Sequence, residues 1–260
     1  MLSFFGVLVR FSVLVAVLPF LGDRFIPVPV KVLLSLAITI SLFPMLVSSG
    51  QIHVGEAFVW GRSAGGIVST IALEALVGLV LGYTAKLSFD SINFGSNMIG
   101  TFMGFASAST YDPHQESNTQ IIAELHLAIA MLIFLSLDGH HLMLRASLDS
   151  YRIVGLGKAG ISVLFTTKLT DLTAQVIQFG IQLTAPIAIS MFAVNIVFGL
   201  VSKDMPQLNI LVLSFAISAF IGFVVLFLSV PQFQTVAGNI LERMGDSMET
   251  MLKTLAEGGK

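Results

Sequence analysis

Cysteine is missing from this sequence, and charge is scarce. Of 260 residues none is cysteine and only 11% are charged. The first absence excludes disulfides, thiolate catalysis and cysteine metal ligands. The second excludes an ordinary soluble domain, in which about a quarter of residues carry charge. With 55% hydrophobic residues, a soluble sphere of this size cannot hide its apolar surface, so lipid or partner subunits must cover it. No block of Lys and Arg suggests nucleic acid binding. The first twenty residues, MLSFFGVLVRFSVLVAVLPF, hold their one charge, Arg10, mid-run and end without a small-x-small cleavage site. They read as a retained segment rather than a signal peptide.

What is present is a series of apolar runs long enough to span a bilayer, which takes roughly 20 residues as a helix. Six segments qualify: Leu2–Leu21, Val30–Val47, Ile67–Leu87, Ile121–Leu137, Val176–Val201 and Ile210–Val230. The expected fold is an all-α membrane protein of about six long apolar helices, several broken, forming helical hairpins. A seventh stretch, Ser91–Gly104, is short and glycine-rich and reads as re-entrant or packed. In the tail after Pro231, Ile240, Leu241, Met244, Met248, Met251, Leu252 and Leu255 recur every three or four residues between charges. This predicts an amphipathic helix outside the membrane core. Six spans and the distribution of Lys and Arg place the C-terminus in the cytoplasm.

Small residues recur at a spacing of four: Gly78 and Gly82, then Ser96, Gly100 and Gly104. Such stripes let helix backbones approach closely in lipid, within the chain or against a neighbouring subunit. Pro186 inside the fifth segment must kink it or free a carbonyl that another group satisfies. Lys203 to Asn209, with Pro206 and Gln207, forms a polar hairpin turn.

No active site emerges, so no catalytic, cofactor or metal residues are expected. Gly155-Leu156-Gly157-Lys158 lacks the first glycine and the Ser/Thr of a phosphate loop and reads as a flexible loop. Glu124 and His126 point to different helix faces. Asp138-Gly139-His140-His141 reads as a polar helix boundary, with Gly139 ending the helix. Arg10, Glu74 and Glu124 are charges inside apolar segments, normally a functional clue. For Glu74, the deepest, pairing with another subunit and facing a watery lumen both remain open, and a secondary transporter is the less favoured functional class.

Three motifs stand together in order: Met103-Gly104-Phe105 followed by Tyr111-Asp112-Pro113; Asp138-Gly139-His140; and Ala185-Pro186 with Gly199-Leu200-Val201-Ser202-Lys203 and Met205-Pro206-Gln207-Leu208-Asn209-Ile210. With the early Pro27-Val28-Pro29-Val30-Lys31, this set resembles the FliR family (SpaR or YscT in virulence secretion) over essentially the whole chain. The resemblance implies a structural, pore-forming subunit of the flagellar type III protein export gate in the bacterial inner membrane, within the flagellar basal body. A virulence-type gate is the alternative. Its implied partners are two companion membrane proteins, FliP-like and FliQ-like, an FlhB-like switch protein, and the exported unfolded flagellar proteins. It also implies that residues 1–175 resemble the larger companion and 176–231 the small one, with 232–260 a cytoplasmic tail. The family's plug maps to Gly104–Pro113. Here Ser107 and Ser109 lie in a small, polar stretch, which puts a bulky plug in doubt and shifts closure toward Phe102, Met103 and Phe105, flanked by Tyr111, Asp112 and Pro113.

Overall fold

The computed structural model describes residues 2–19, 26–53, 55, 60–105, 120–204 and 210–259. Among them are eight helices and no strand: α1 (Leu2–Val17), α2 (Val28–Ser48), α3 (Ala64–Phe102), α4 (Gln120–Ser136), α5 (Gly139–Ile153), α6 (Val163–Asp204), α7 (Ile210–Leu228) and α8 (Val230–Gly258). Of these, α2, α3 and α6 are each long and apolar enough to cross a bilayer, and two further spans result if α4 with α5 and α7 with α8 each count as one broken span. Only 17% of the apolar window of α2 and of α6 is buried, against 33% for α3. The first two therefore present their side chains to lipid or to other subunits. The first expected span shortens to the 16 residues of α1.

The structure corrects two boundaries. Ser91–Gly104 is not a separate segment, because α3 runs 39 residues through it. Side chains stabilise this glycine-rich stretch by turning back on the helix: Ser96 Oγ donates to the Ile92 carbonyl at 2.7 Å, and Thr101 Oγ1 to that of Asn97 at 3.0 Å. Polar groups that bond four residues back need no other partner in an apolar setting. Nor does Gly139 end a helix. It is the first residue of α5, and the left-handed position at the break belongs to Asp138, with φ 53°. Asp is among the few non-glycine residues that adopt this conformation readily.

Prolines sit where the backbone tolerates them. Pro29 occupies the first turn of α2, where an N–H has no partner to lose. Pro186 lies inside α6 and leaves the Gln182 carbonyl without its helical donor. That carbonyl accepts from Gln232 Nε2 at 3.4 Å. Pro44, inside α2, is a further interior proline that the sequence reading passed over.

The chain divides into two compact units. The first comprises Met1–Ser88, Asp138–Thr173 and Glu242–Lys260, and the second Phe89–Leu137 and Ala174–Leu241. In the first, α1 packs on α2 through the edge-to-face pair Phe4–Phe43 and the Ser12–Ser35 hydrogen bond, and on α3 through glycines. A Cβ on Gly78 would overlap the Arg10 carbonyl oxygen, and one on Gly82 would lie 2.9 Å from Val17 Cβ. The apolar face of the tail is buried in the protein, with Met244, Met248, Met251 and Leu255 at 0–1% exposure. The tail helix is tied to the chain by Gly160 N–H donating to the Leu255 carbonyl and Ser162 Oγ to that of Thr254.

In the second unit α3 approaches α6 closely at a pair of glycines. A Cβ on Gly95 would sit 2.8 Å from the Gly180 carbonyl oxygen. The Thr184 hydroxyl spans the contact, 2.8 Å from the Gly180 carbonyl and 3.0 Å from that of Gly95. Ile92, Ala130, Leu183, Phe233, Ala237 and Ile240 form the apolar cluster beside it.

Candidate functional site

Two constellations stand out, one in each unit. The first is built on charge. Arg10 on α1 and Glu74 on α3 are both buried, at 1% and 0% exposure. They form a two-pronged ion pair, Nε to Oε2 at 2.8 Å and Nη2 to Oε1 at 2.9 Å. Arg10 Nη1 donates to Ser150 Oγ at 2.7 Å, and Nη2 also reaches the Val154 carbonyl at 3.4 Å. The Ser150 hydroxyl in turn donates a hydrogen bond to the Ser147 carbonyl. The guanidinium carbon lies over the Tyr151 ring, 3.8 Å from its centroid, a favourable cation–π geometry. Glu74 Oε1 accepts a further bond from Gly157 N–H at 2.8 Å.

The sequence assembles this network from separate local features. The buried face of α5 recurs at helical spacing through Gly139, Met143, Ser147, Ser150 and Tyr151, bringing the last two to the guanidinium. Gly157 has φ +69°, where a side chain would be strained, and this turns its N–H onto the carboxylate. The loop Gly155–Lys158 is thus pinned by a buried anion from its own chain, not the loose loop the sequence suggested. Taking two ions out of water is tolerable only when geometry and extra hydrogen bonds compensate. Here Glu74 accepts three hydrogen bonds and Arg10 donates four, and the arrangement acts as a neutral clamp joining α1, α3, α5 and the turn after α5. Of the two roles left open for Glu74, pairing with another subunit and facing a lumen, neither is met: its partner is within the chain.

The second constellation is apolar. Met103 is fully buried among Ile99, Ile122, Ile187 and Met191. Its side chain lies against Gly222 of α7, where an added Cβ would come within 2.7 Å of Met103 Cγ and Cε. Phe105 packs on this cluster and meets Phe215 and Phe223 edge-on, at ring distances of 6.3 and 6.0 Å. Gly104 closes α3 with φ +88°, its N–H donating to the Thr101 carbonyl. Phe102 departs from this group and is 39% exposed. Thioether groups without hydrogen-bond constraints can re-pack at low cost.

Residues 1–244 match the model of a family described as bacterial export proteins, family 1. The chain belongs to this bacterial export family. It is similar to the flagellar biosynthetic protein FliR of Pectobacterium carotovorum subsp. carotovorum, 27% identical over 254 residues that cover 98% of this chain and 94% of that protein. It is also similar to the FliR proteins of Escherichia coli strain K12, 26% identical over 84% of this chain and 80% of the relative, and of Bacillus subtilis strain 168, 23% identical over 96% and 94%.

Within this export-family chain the remaining expected positions are distributed as follows. Ser96 and Gly100 are buried on α3. Lys203 is exposed near the end of α6. Ser107, Ser109, Tyr111, Asp112 and Pro113, and Pro206, Gln207 and Asn209 of the turn, lie outside the described residues. Glu124 is exposed, while His126 is buried, its Nδ1 2.8 Å from the Ile122 carbonyl and its ring against Phe233. Asp138, His140 and His141 converge at the break before α5, each with a ligand-type atom within 4.8 Å of the others, and all three are exposed. Sequence reasoning missed Ser150, Tyr151, Gly95, Gly180 and Thr184. Their only sequence signal was small or polar residues at helical spacing in otherwise apolar runs.

Proposed function

We propose that this chain is a structural, pore-forming subunit of the flagellar type III protein export gate. In this role it contributes, without catalysis of its own, to a closed channel through which unfolded flagellar proteins leave the cytoplasm. The observation that carries the reading is the export-family match over residues 1–244. The wide apolar exposure of α2 and α6 supports a subunit role, because such faces call for lipid or neighbouring helices. The partners proposed are FliP-like and FliQ-like membrane proteins and an FlhB-like switch protein. The setting proposed is the inner membrane with a cytoplasmic C-terminus. Residues 176–231 form the hairpin that stands in for the small companion. Native mass spectrometry of the chain coexpressed with the two companions tests this: a complex of fixed composition is expected. A stable monomer that ignores both companions would overturn the assignment.

Closure is assigned to Met103 and Phe105 together with the Gly104–Pro113 segment. A narrow apolar constriction blocks ions while it stays dry. Met103→Ala with Phe105→Ala is therefore expected to leave the complex assembled and make the membrane leaky, read as conductance with copurification as the control. Assembly without leak would move closure to the companion subunits.

A further inference from the structure

Met103 has no exposed surface, yet a residue that closes a passage must meet whatever goes through when the passage opens. Some contact that covers it therefore has to part. Within its compact unit the cover comes from Ile122 of α4, Ile187 and Met191 of α6, and the Gly222 face of α7. These contacts are held in different ways.

The α6 side is fastened to α3. Gly95 and Gly180 bring the two backbones together, and the Thr184 hydroxyl spans the contact, 3.0 Å from the Gly95 carbonyl. The contacts that α7 makes with the closure residues are apolar and have no directional bond to break. A Cβ on Gly222 would lie 2.7 Å from Met103 Cγ and Cε and 3.2 Å from Sδ, so this buried glycine is a notch that the thioether fills. Phe105, two residues on, meets Phe215 and Phe223 of the same helix edge-on. Elsewhere on α7, Phe220 and Phe227 are exposed, so no described helix of this chain covers it there.

Resting on the assignment of closure to Met103 and Phe105, we propose that α7 is the movable side of that closure and Gly222 the positioning residue that seats Met103. Export requires this contact to part. Glycine suits the seat because a side chain there would push the thioether out of the notch, and tight packing leaves it nowhere to go without a shift of its neighbours.

The chain has no native cysteine, which allows the contact to be locked. Met103→Cys with Gly222→Cys puts a sulfur near the present Met103 Cγ, within disulfide reach of the new Cβ. In the membrane complex formed with the companion proteins, oxidation is expected to join the two cysteines and stop export, and reductant to restore it. Either cysteine alone should export under both conditions. A disulfide that forms without slowing export would overturn the proposal. So would failure of the disulfide to form in a complex that copurifies intact.

A second pair decides the matter if the two cysteines prevent assembly. Gly222→Leu displaces Met103 and should make the membrane leak, since a constriction forced apart admits water and ions. Gly222→Leu with Met103→Ala returns the side chain from the opposite wall of the same contact and should seal it again. No leak from the first variant, or a leak that the second substitution leaves unchanged, would remove Gly222 as the seat. If Met103→Ala with Phe105→Ala leaves the membrane tight, the closure reading fails by itself, and a reversible block by the disulfide would still show α7 moving during export.

Discussion

The two constellations, one in each unit, are held by opposite means. In the first, an arginine and a glutamate with no access to solvent are fixed by directional bonds to each other, a serine, a backbone carbonyl, a backbone N–H and an aromatic face. In the second, Met103, Met191, Ile99 and Ile187 pack without a polar contact between their side chains, beside helices brought close at Gly95 and Gly180. A buried, hydrogen-bonded ion pair has few arrangements of low energy, because any shift strands an ion in an apolar interior. A methionine and aromatic cluster has many arrangements of similar energy. The lesson is that one constellation is fixed by directional bonds and the other by apolar contact alone.

The contrast can be broken at its strongest point. Glu74→Ala leaves the Arg10 charge buried and unpaired, a loss of about 3–5 kcal/mol. The variant should fail to accumulate in the membrane, as quantitative immunoblotting would show. Replacing both partners, Arg10→Met with Glu74→Leu, should recover most of that loss, because a buried pair gains little over well-packed apolar groups. Recovery would identify the clamp as a packing device. Persistent loss of export despite normal accumulation would give the charges a role in transport.

A smaller effect is expected in the apolar cluster. Met103→Ala should cost about 2–3 kcal/mol, near the low end for such truncations, because partly buried flexible neighbours can close the space. Met103→Leu should cost under about 1.5 kcal/mol. Thermal denaturation of the detergent-solubilised complex would read both. Equal damage from the two would mean that this region is as exacting as the clamp, and the comparison would fail.

The smallest effect sharpens the account of the clamp. The Tyr151 hydroxyl is buried without a hydrogen-bond partner among the described residues, so its ring and not its oxygen is assigned the contact with Arg10. Tyr151→Phe should leave stability within about 0.5 kcal/mol of the parent, while Tyr151→Leu should lose about 1–2 kcal/mol through the absent π-face. A large cost for Tyr151→Phe, measured in the same denaturation assay, would show that the hydroxyl has a partner in the assembled complex.

The long apolar helices were legible because each has a continuous apolar signal, and the methionine and leucine spacing marked the tail helix as well, whereas α5, short and polar on one face, was not read as a helix. The seventh stretch was read as packed, as it is, but was set apart from α3 because glycine lowers both hydropathy and helix propensity locally, whereas Ser96 and Thr101 compensate through bonds the sequence does not display. Asp138 was misread because glycine is the usual residue at a left-handed break, and here it stands one position later. The gate candidates were legible only by resemblance. That resemblance did not distinguish Met103 and Phe105, which pack together, from Phe102, which lies open.

The sequence by itself determined that this is a helical membrane protein with too little charge to be soluble, where its long apolar helices run, and which family it joins. These are properties of composition and of spacing along one chain. Only the tertiary structure decided that Arg10 answers Glu74, since 64 residues separate them, and that Gly157 completes the carboxylate's bonding. It also decided that Gly95 meets Gly180. Partners of that kind are chosen by three-dimensional packing, where the cost of an unpaired buried charge or of one extra Cβ depends on which atoms come to lie opposite it.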